Sequence, residues 1–438
     1  MLAGKAGDRP RIEAVSGGED PYDGPSSPDV SPRSADLELT PVPDERFIYF
    51  DHHATTPCDP RVVEAMLPTF RDVFANASSS HAAGRAALEL VENARAEVAA
   101  LLDCDAREIV FTSGATESIN LALKGVAALA GPGAHIVTST IEHRAVLDAC
   151  AALERDGLSV TYLPVDADGC VRPSDVENAI GPRTILVSIM AANNEIGTLQ
   201  PIEAIGAITR RRGVLLHCDA TQAIASLSCK VDAISADLLS LSAHKIYGPK
   251  GSGALFVRRR RPRARLRPLF DGGGHERGLR SGTLNVPGIV GLGEAAKIVR
   301  EEREPEAARI RALRDRLLEI LKEAIPDLIV NGSLARRLPG NLNITFPGAR
   351  ASTIVASLAD VAVSAGSACS SPKTDGSSYV LRALGRKDAA LLGGVRIGIG
   401  RTNTEDEIEV AAQRVIEAVG TARARFGEES RASSCEPA

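Results

Sequence analysis

Apolar positions are unevenly distributed along the chain. The first 45 residues carry no periodic apolar pattern and are rich in Gly, Pro, Ser and Asp, so a disordered extension is expected there. The first apolar run is Phe47-Ile48-Tyr49-Phe50. Residues 84–102 then place Leu88, Val91, Ala94, Val98 and Leu101 on one stripe, which predicts a helix. A short strand, Ile109-Val110-Phe111, and a turn, Thr112-Ser113-Gly114, lead into a second helix through Leu121, Leu123 and Val126. Strand-like runs follow at 135–138, 184–190, 214–217, 238–241 and 253–257. Continuous apolar strands separated by helices predict a mostly parallel sheet covered on both faces.

After residue 300 the pattern changes. A charged helix over 301–324 precedes a strand at Asn343-Ile344-Thr345-Phe346, and a last helix is expected over 405–424. The organisation expected is an extension (1–45), a large α/β domain (46–300) whose first residues pack with the next domain, a smaller α+β domain (301–425) and a mobile tail (426–438). No internal repeat is visible.

Composition narrows the class. Of 438 residues, 44% are apolar, enough for a substantial core. A net charge of −5 and the absence of Trp argue against a nucleic-acid or membrane partner. Residues 258–267 hold seven arginines, which read as a solvated face because no aromatics interleave them. The eight cysteines include no Cys-x-x-Cys pair, so neither a zinc knuckle nor a dithiol is expected. Scattered thiols in a large chain suit a reducing, cytoplasmic setting. There is no apolar leader and no apolar run of membrane-spanning length.

The polar clusters fall just past the predicted strand ends, where open α/β sheets bind ligands. Ser242-Ala243-His244-Lys245 closes one buried strand; a desolvated lysine loses its proton easily, and a neutral amine can form a Schiff base. Ser113-Gly114-Ala115-Thr116 reads either as a phosphate-binding turn or as a plain helix cap. Glu142-His143 offers an imidazole for stacking or proton transfer, or a structural histidine. Asn193-Asn194 is a substrate-orienting pair or a turn. Asp219, in His217-Cys218-Asp219-Ala220-Thr221-Gln222, suits a pyridinium nitrogen or a helix cap. The loop Gly272 to Thr283 is glycine-rich enough to complete an anion cup. Cys369, in Gly-Ser-Ala-Cys, sits among small polar residues that leave a thiolate accessible. Arg396 lies among glycines, where its fork fits a carboxylate or simply lines an edge strand.

Taken in order with Ala54-Thr55-Thr56-Pro57, these segments resemble cysteine desulfurases of the iron–sulfur assembly type, within the class V aminotransferase group of pyridoxal-phosphate enzymes. The resemblance spans residues 48–418. It implies the PLP-dependent transferase fold type I: an α/β large domain with a mostly parallel seven-stranded sheet, plus a smaller α+β C-terminal domain. It further implies that Lys245 carries the Schiff base with pyridoxal 5'-phosphate and that Asp219 meets the pyridine nitrogen. His143 would stack on the ring, and Gln222 would contact its hydroxyl. Ala115, Thr116, Ser242 and His244 would hold the phosphate, with Thr283 arriving from the second subunit of a homodimer. Asn194, beside the cofactor, and Arg396 would grip the carboxylate of L-cysteine. Cys369 would take the sulfur as a persulfide, release alanine and pass the sulfur to an acceptor protein for iron–sulfur assembly or thiolation. No resident metal is implied, although Cys369 could transiently ligate an iron–sulfur cluster. Two features depart from the pattern: Ala243 stands where Gly is usual, and the segment after Cys369 lacks a Glu-Pro-Ser ending. Selenocysteine lyase activity and a non-catalytic regulatory paralogue are the alternatives.

Overall fold

The computed structural model describes residues 47–260, 263–365, 378–386 and 394–433, with side chains to 426. Thirteen strands occur among them: β1 Ile48–Tyr49, β2 Ile109–Thr112, β3 His135–Ser139, β4 Ser159–Leu163, β5 Thr184–Met190, β6 Leu215–Asp219, β7 Leu238–Ser242, β8 Gly253–Val257, β9 Ile329–Val330, β10 Asn341–Thr345, β11 Val361–Ala362, β12 Ser364–Ala365 and β13 Gly394–Gly398. Seven form one sheet in the order β2-β8-β7-β6-β5-β3-β4, in which only β8 runs antiparallel to its neighbours. The expected mostly parallel seven-stranded sheet is present.

Adjacent residues on these strands enter different cores, as period-two side-chain geometry requires. Phe111, Val137, Val187, Leu239 and Phe256 join a cluster built on the helices Ala82–Leu102 and Val286–Ala324. Val110, Ile136, Leu186, Leu238 and Leu255 join another, on Ala115–Ala130 and Arg144–Arg155. Helices therefore cover both faces. β4 was not anticipated: it is a sheet edge, with only Leu163 fully buried, so it lacks a continuous apolar run.

A second core gathers on the four-stranded sheet β12-β13-β10-β9, packed by Ile310, Leu313, Leu317 and Leu321 and by the last helix. Ile48 and Phe50 belong to this core, and β1 pairs in parallel with β11. The described residues form one compact unit. No described helix is long and apolar enough to cross a membrane.

The helix expected over 301–324 starts far earlier, at Val286, capped by the Asn285 side chain. Its early glycines obscured it, but they are there for close packing. A Cβ on Gly293 would stand 2.6 Å from that of Ala94, and one on Gly291 the same distance from the Met66 sulfur. The last helix runs Glu405–Ser433, beyond the expected 424; Glu, Arg and Ala over 428–433 favour helix as the earlier turns do.

The arginine run also divides. Arg258 is not solvated: it is 4% exposed and bonded to Asp232 and to the carbonyl of Ala236. Arg259, Arg263 and Arg265 instead line a surface groove with Arg107 and Arg277.

One buried ion pair fastens the glycine-rich loop to this fold. Glu276 binds both terminal nitrogens of Arg95, at 2.7 and 2.8 Å, and accepts from the Phe111 amide. Glu276 and Arg277 both hold positive φ (49° and 58°), so the bonds offset local backbone strain. Glu276→Ala, which strands a buried guanidinium, is expected to destabilise the protein by about 3–5 kcal/mol in denaturant unfolding.

Candidate active site

Because β2, β7, β6 and β5 share one direction, their carboxyl ends meet at one sheet edge. Met190 is level with Asp219, Asp219 with Ser240, and Ser242 with Gly253 and so with Thr112. A cleft of about 520 Å³ opens there. Ala115, Thr116, His143, Asn194, Asp219, Gln222, Ser242, His244, Lys245 and Arg396 all line it. Thr283 is exposed and does not line it. Cys369 lies outside the described residues, as does the rest of 366–377.

Lys245 ends the short turn that continues the fully buried β7. Its Nζ donates to the carbonyls of His53 and of Ala54, the latter at 2.8 Å. Two residues on, Tyr247 holds φ 63°, in the left-handed region that a bulky side chain rarely occupies. Its amide bonded to Thr56 (2.9 Å) and its hydroxyl accepting from the Arg401 amide (2.6 Å) hold it there. Ala243 is fully buried, and its methyl packs against Gly248, where a Cβ would stand only 2.9 Å away. The extra methyl is thus accommodated by the glycine opposite.

Asp219 ends β6, 6% exposed. Its Oδ1 accepts from the Thr221 amide (3.0 Å), the Thr221 hydroxyl (2.5 Å) and the Ser240 hydroxyl (3.3 Å). Beneath it, His217 bridges Ser188 and Ser240 at 2.8 and 3.2 Å. Burial pushes that imidazole down to about 4, so it stays neutral.

His143 caps the helix Arg144–Arg155, its Nδ1 accepting from the Ala145 amide at 3.1 Å. The neutral ring therefore carries its proton on Nε2. Burial holds His143 below the usual imidazole range; Lys245 adds to this and Asp219 opposes it. The helix Ala115–Ala130 points its uncapped N-terminus at the cleft, since Gly114 offers no side-chain cap. Gly253 has no room for a side chain: its Cβ would lie 2.6 Å from Gly114 Cα. This brings bare amides to the cleft floor beside Ser242. Thr55 holds His244 at 3.1 Å, and burial, with Lys245 and Lys250 nearby, pushes that imidazole down to about 4.

Arg396 reaches in from β13 of the second core. It binds Asp51 (2.9 Å), the Asn194 carbonyl (3.1 Å) and Ser364 (3.3 Å). Three buried polar atoms on residues of this wall have no hydrogen-bond partner among the described residues: Arg396 Nε, Asn194 Oδ1 and His53 Nε2. Such atoms mark a polar ligand's place.

Sequence reasoning missed His53, Lys250 and two buried carboxyls. Glu195 accepts from Ser378 at 2.5 Å and is pushed up to about 7 by burial. Ser378 caps the next short helix, whose Tyr379 donates to the carbonyl of Glu142 at 2.7 Å. The segment that follows residues 366–377 is thereby pinned beside His143. Only the Asn-Asn-Glu and Glu-His strings hinted at this.

The family model described as Aminotransferase class-V matches residues 48–410. The chain belongs to this family. It is 54% identical over 366 residues to a protein named cysteine desulfurase IscS from Anaeromyxobacter sp. (strain K), covering 83% of this chain and 90% of the relative. A solved NifS-like protein superimposes with TM-score 0.80 at 38% identity, covering 86% of this chain and all of the other. The structure titled SspA in complex with cysteine gives 0.72 and 38%, covering 82% of this chain and all of its own. Within the class-V aminotransferases, the chain groups with the cysteine desulfurases.

Glu142 carries a pH signature of this class-V site. It is fully buried and bonded to Ser139 (2.7 Å) and the Met190 amide (3.2 Å). Burial, aided by Asp219, raises it to about 8. The folded state thus holds a proton that the unfolded chain loses above the ordinary carboxyl value of 4.5, so stability falls as pH rises from there to about 8. Glu142→Gln should flatten that slope and gain at least about 1 kcal/mol relative to wild type at pH 8, measured by denaturation at pH 5 and 8.

Proposed function

We propose that this chain is a pyridoxal-phosphate-dependent cysteine desulfurase that stores sulfur as a persulfide on Cys369. The observation that carries the reading is the convergence of Lys245, Asp219, His143 and an uncapped helix N-terminus on one cleft. The residues fit the cofactor. Lys245 supplies the amine for its aldehyde, and the Asp219 carboxylate a partner for its ring nitrogen. His143 gives a neutral face, and the Gly114–Gly253 contact clears backbone amides for its phosphate. Bound there, the cofactor would supply an electron sink for the pair left on substrate carbon by C–S cleavage.

The chain's own residues do the rest. Arg396, braced by Asp51 and the Asn194 carbonyl, presents its unpartnered Nε to the substrate carboxylate. Asn194 Oδ1 is an acceptor for the substrate's amine. Lys245, displaced from the carbonyls of His53 and Ala54, moves a proton at Nζ. His143, with its proton on Nε2, assists that transfer without gaining charge. The Cys369 thiolate bonds to the substrate sulfur as the C–S bond breaks; the carbon is protonated, and alanine leaves. The persulfide then goes to an acceptor protein. We place Thr283 in the partner's cleft of a homodimer, since its own chain leaves it exposed. We assign a larger domain and a smaller one whose sequence includes Cys369, a division that the two separate cores support. A reducing cytoplasm suits the free described cysteines.

Cys369→Ala should retain the cofactor's visible colour while sulfide and alanine release fall at least about 1000-fold. Lys245→Ala should lose the borohydride-fixed cofactor adduct, read by peptide mass. Sulfide release surviving the first change would remove Cys369 from the reaction.

A further inference from the structure

His53 stands on the cleft wall and forms a reciprocal pair with Gln222. Gln222 Nε2 donates to the His53 carbonyl at 3.0 Å. A carbonyl only accepts, so that end of the amide is the nitrogen. Gln222 Oε1 therefore faces the imidazole, 3.1 Å from Nδ1. An amide oxygen also only accepts, which puts the ring proton on Nδ1 and leaves Nε2 a buried lone pair. Burial, with Arg396 and Lys245 nearby, keeps the imidazole uncharged.

The pair fixes Gln222 twice. The backbone contact sets which end of the amide is nitrogen, and the imidazole contact sets its plane. One amide hydrogen is used on the His53 carbonyl, and the other remains at the wall shared with Asp219 and Lys245. Removing the imidazole leaves the amide one anchor about which to turn.

We propose that His53 is a positioning residue whose imidazole holds the plane of the Gln222 amide, so that its remaining N–H stays aimed at the ring oxygen of the cofactor. The assignment rests on the cofactor reading above. An N–H bonded to that oxygen withdraws its negative charge, so the oxygen holds less firmly the proton on the cofactor-linked Lys245 nitrogen. The other titratable and charged groups facing the cleft are Asp219 on β6, His244 and Lys250 beyond β7, His143 at its helix start, Glu117 near the start of the helix Ala115–Ala130 with its partner Arg280, and Arg396 on β13 with its partner Asp51. None of them is altered in the test.

The test titrates the cofactor's visible band in the purified holoenzyme. His53→Phe, which keeps the ring shape and loses both nitrogens, should raise the midpoint by about half to one pH unit. Gln222→Leu should raise it as much, and the double variant no further, because both remove one device. His53→Asn, whose amide nitrogen replaces Nδ1, should restore the wild-type midpoint even if His53→Phe fails to fold. An unchanged midpoint in His53→Phe, additive shifts, or a His53→Asn midpoint as displaced as that of Gln222→Leu would each overturn the role of His53 while leaving the cofactor reading intact. A colourless wild-type protein would overturn both.

Discussion

One crossing segment, residues 48–59, sets the terms for the cleft. It begins in the second core, where Phe50 is fully buried and Asp51 bridges to Gly398. It ends on the first, where Thr56 binds the His244 carbonyl and the Asp59 amide binds that of Tyr247. Between these anchors it offers the two carbonyls that receive Lys245. The Lys245 amine is therefore half-buried just past a strand end of one sheet and held by backbone tied to the other. The carbonyls of His53 and Ala54 both receive Nζ, so the amine has a fixed place on the cleft wall.

The same segment explains how Arg396 serves a site built mainly on the other sheet. Arg396 lies on β13, paired across to Ser364 and Asn343. Its Asp51 partner comes from the crossing segment and its Asn194 partner from the loop after β5. The guanidinium is thus held from three directions, with its buried Nε left without a partner among the described residues. A cation that is already oriented loses little entropy on meeting a carboxylate.

Much of this was legible in the chain. Period and strand-end chemistry located β2, β3, β5, β6, β7 and β8, and with them Lys245, Asp219, His143 and the Thr116 turn, because strands buried on both faces announce themselves as apolar runs. What stayed hidden was tertiary. The start of the long helix was masked by glycines whose purpose is contact with Ala94 and Met66. Arg258 belonged to a charged run yet is buried, since its partner Asp232 sits on a distant turn. His53 carries no signature of its own, because its meaning comes from Gln222. Glu142 and Glu195 gave no sign that they would be buried with raised proton affinity, since only the three-dimensional enclosure desolvates them.

The pairing of Ile48 with Val361 has a consequence for biosynthesis. The first described strand has no partner until almost the whole polypeptide has been made. At about 5–20 residues per second, that delay is on the order of 15–60 s. Throughout it, Ile48 and Phe50 must wait without their core, and the lysine pocket lacks its wall. The wall that receives Lys245 is therefore fastened to the second core only late, once the sheet partner of this first strand has been made.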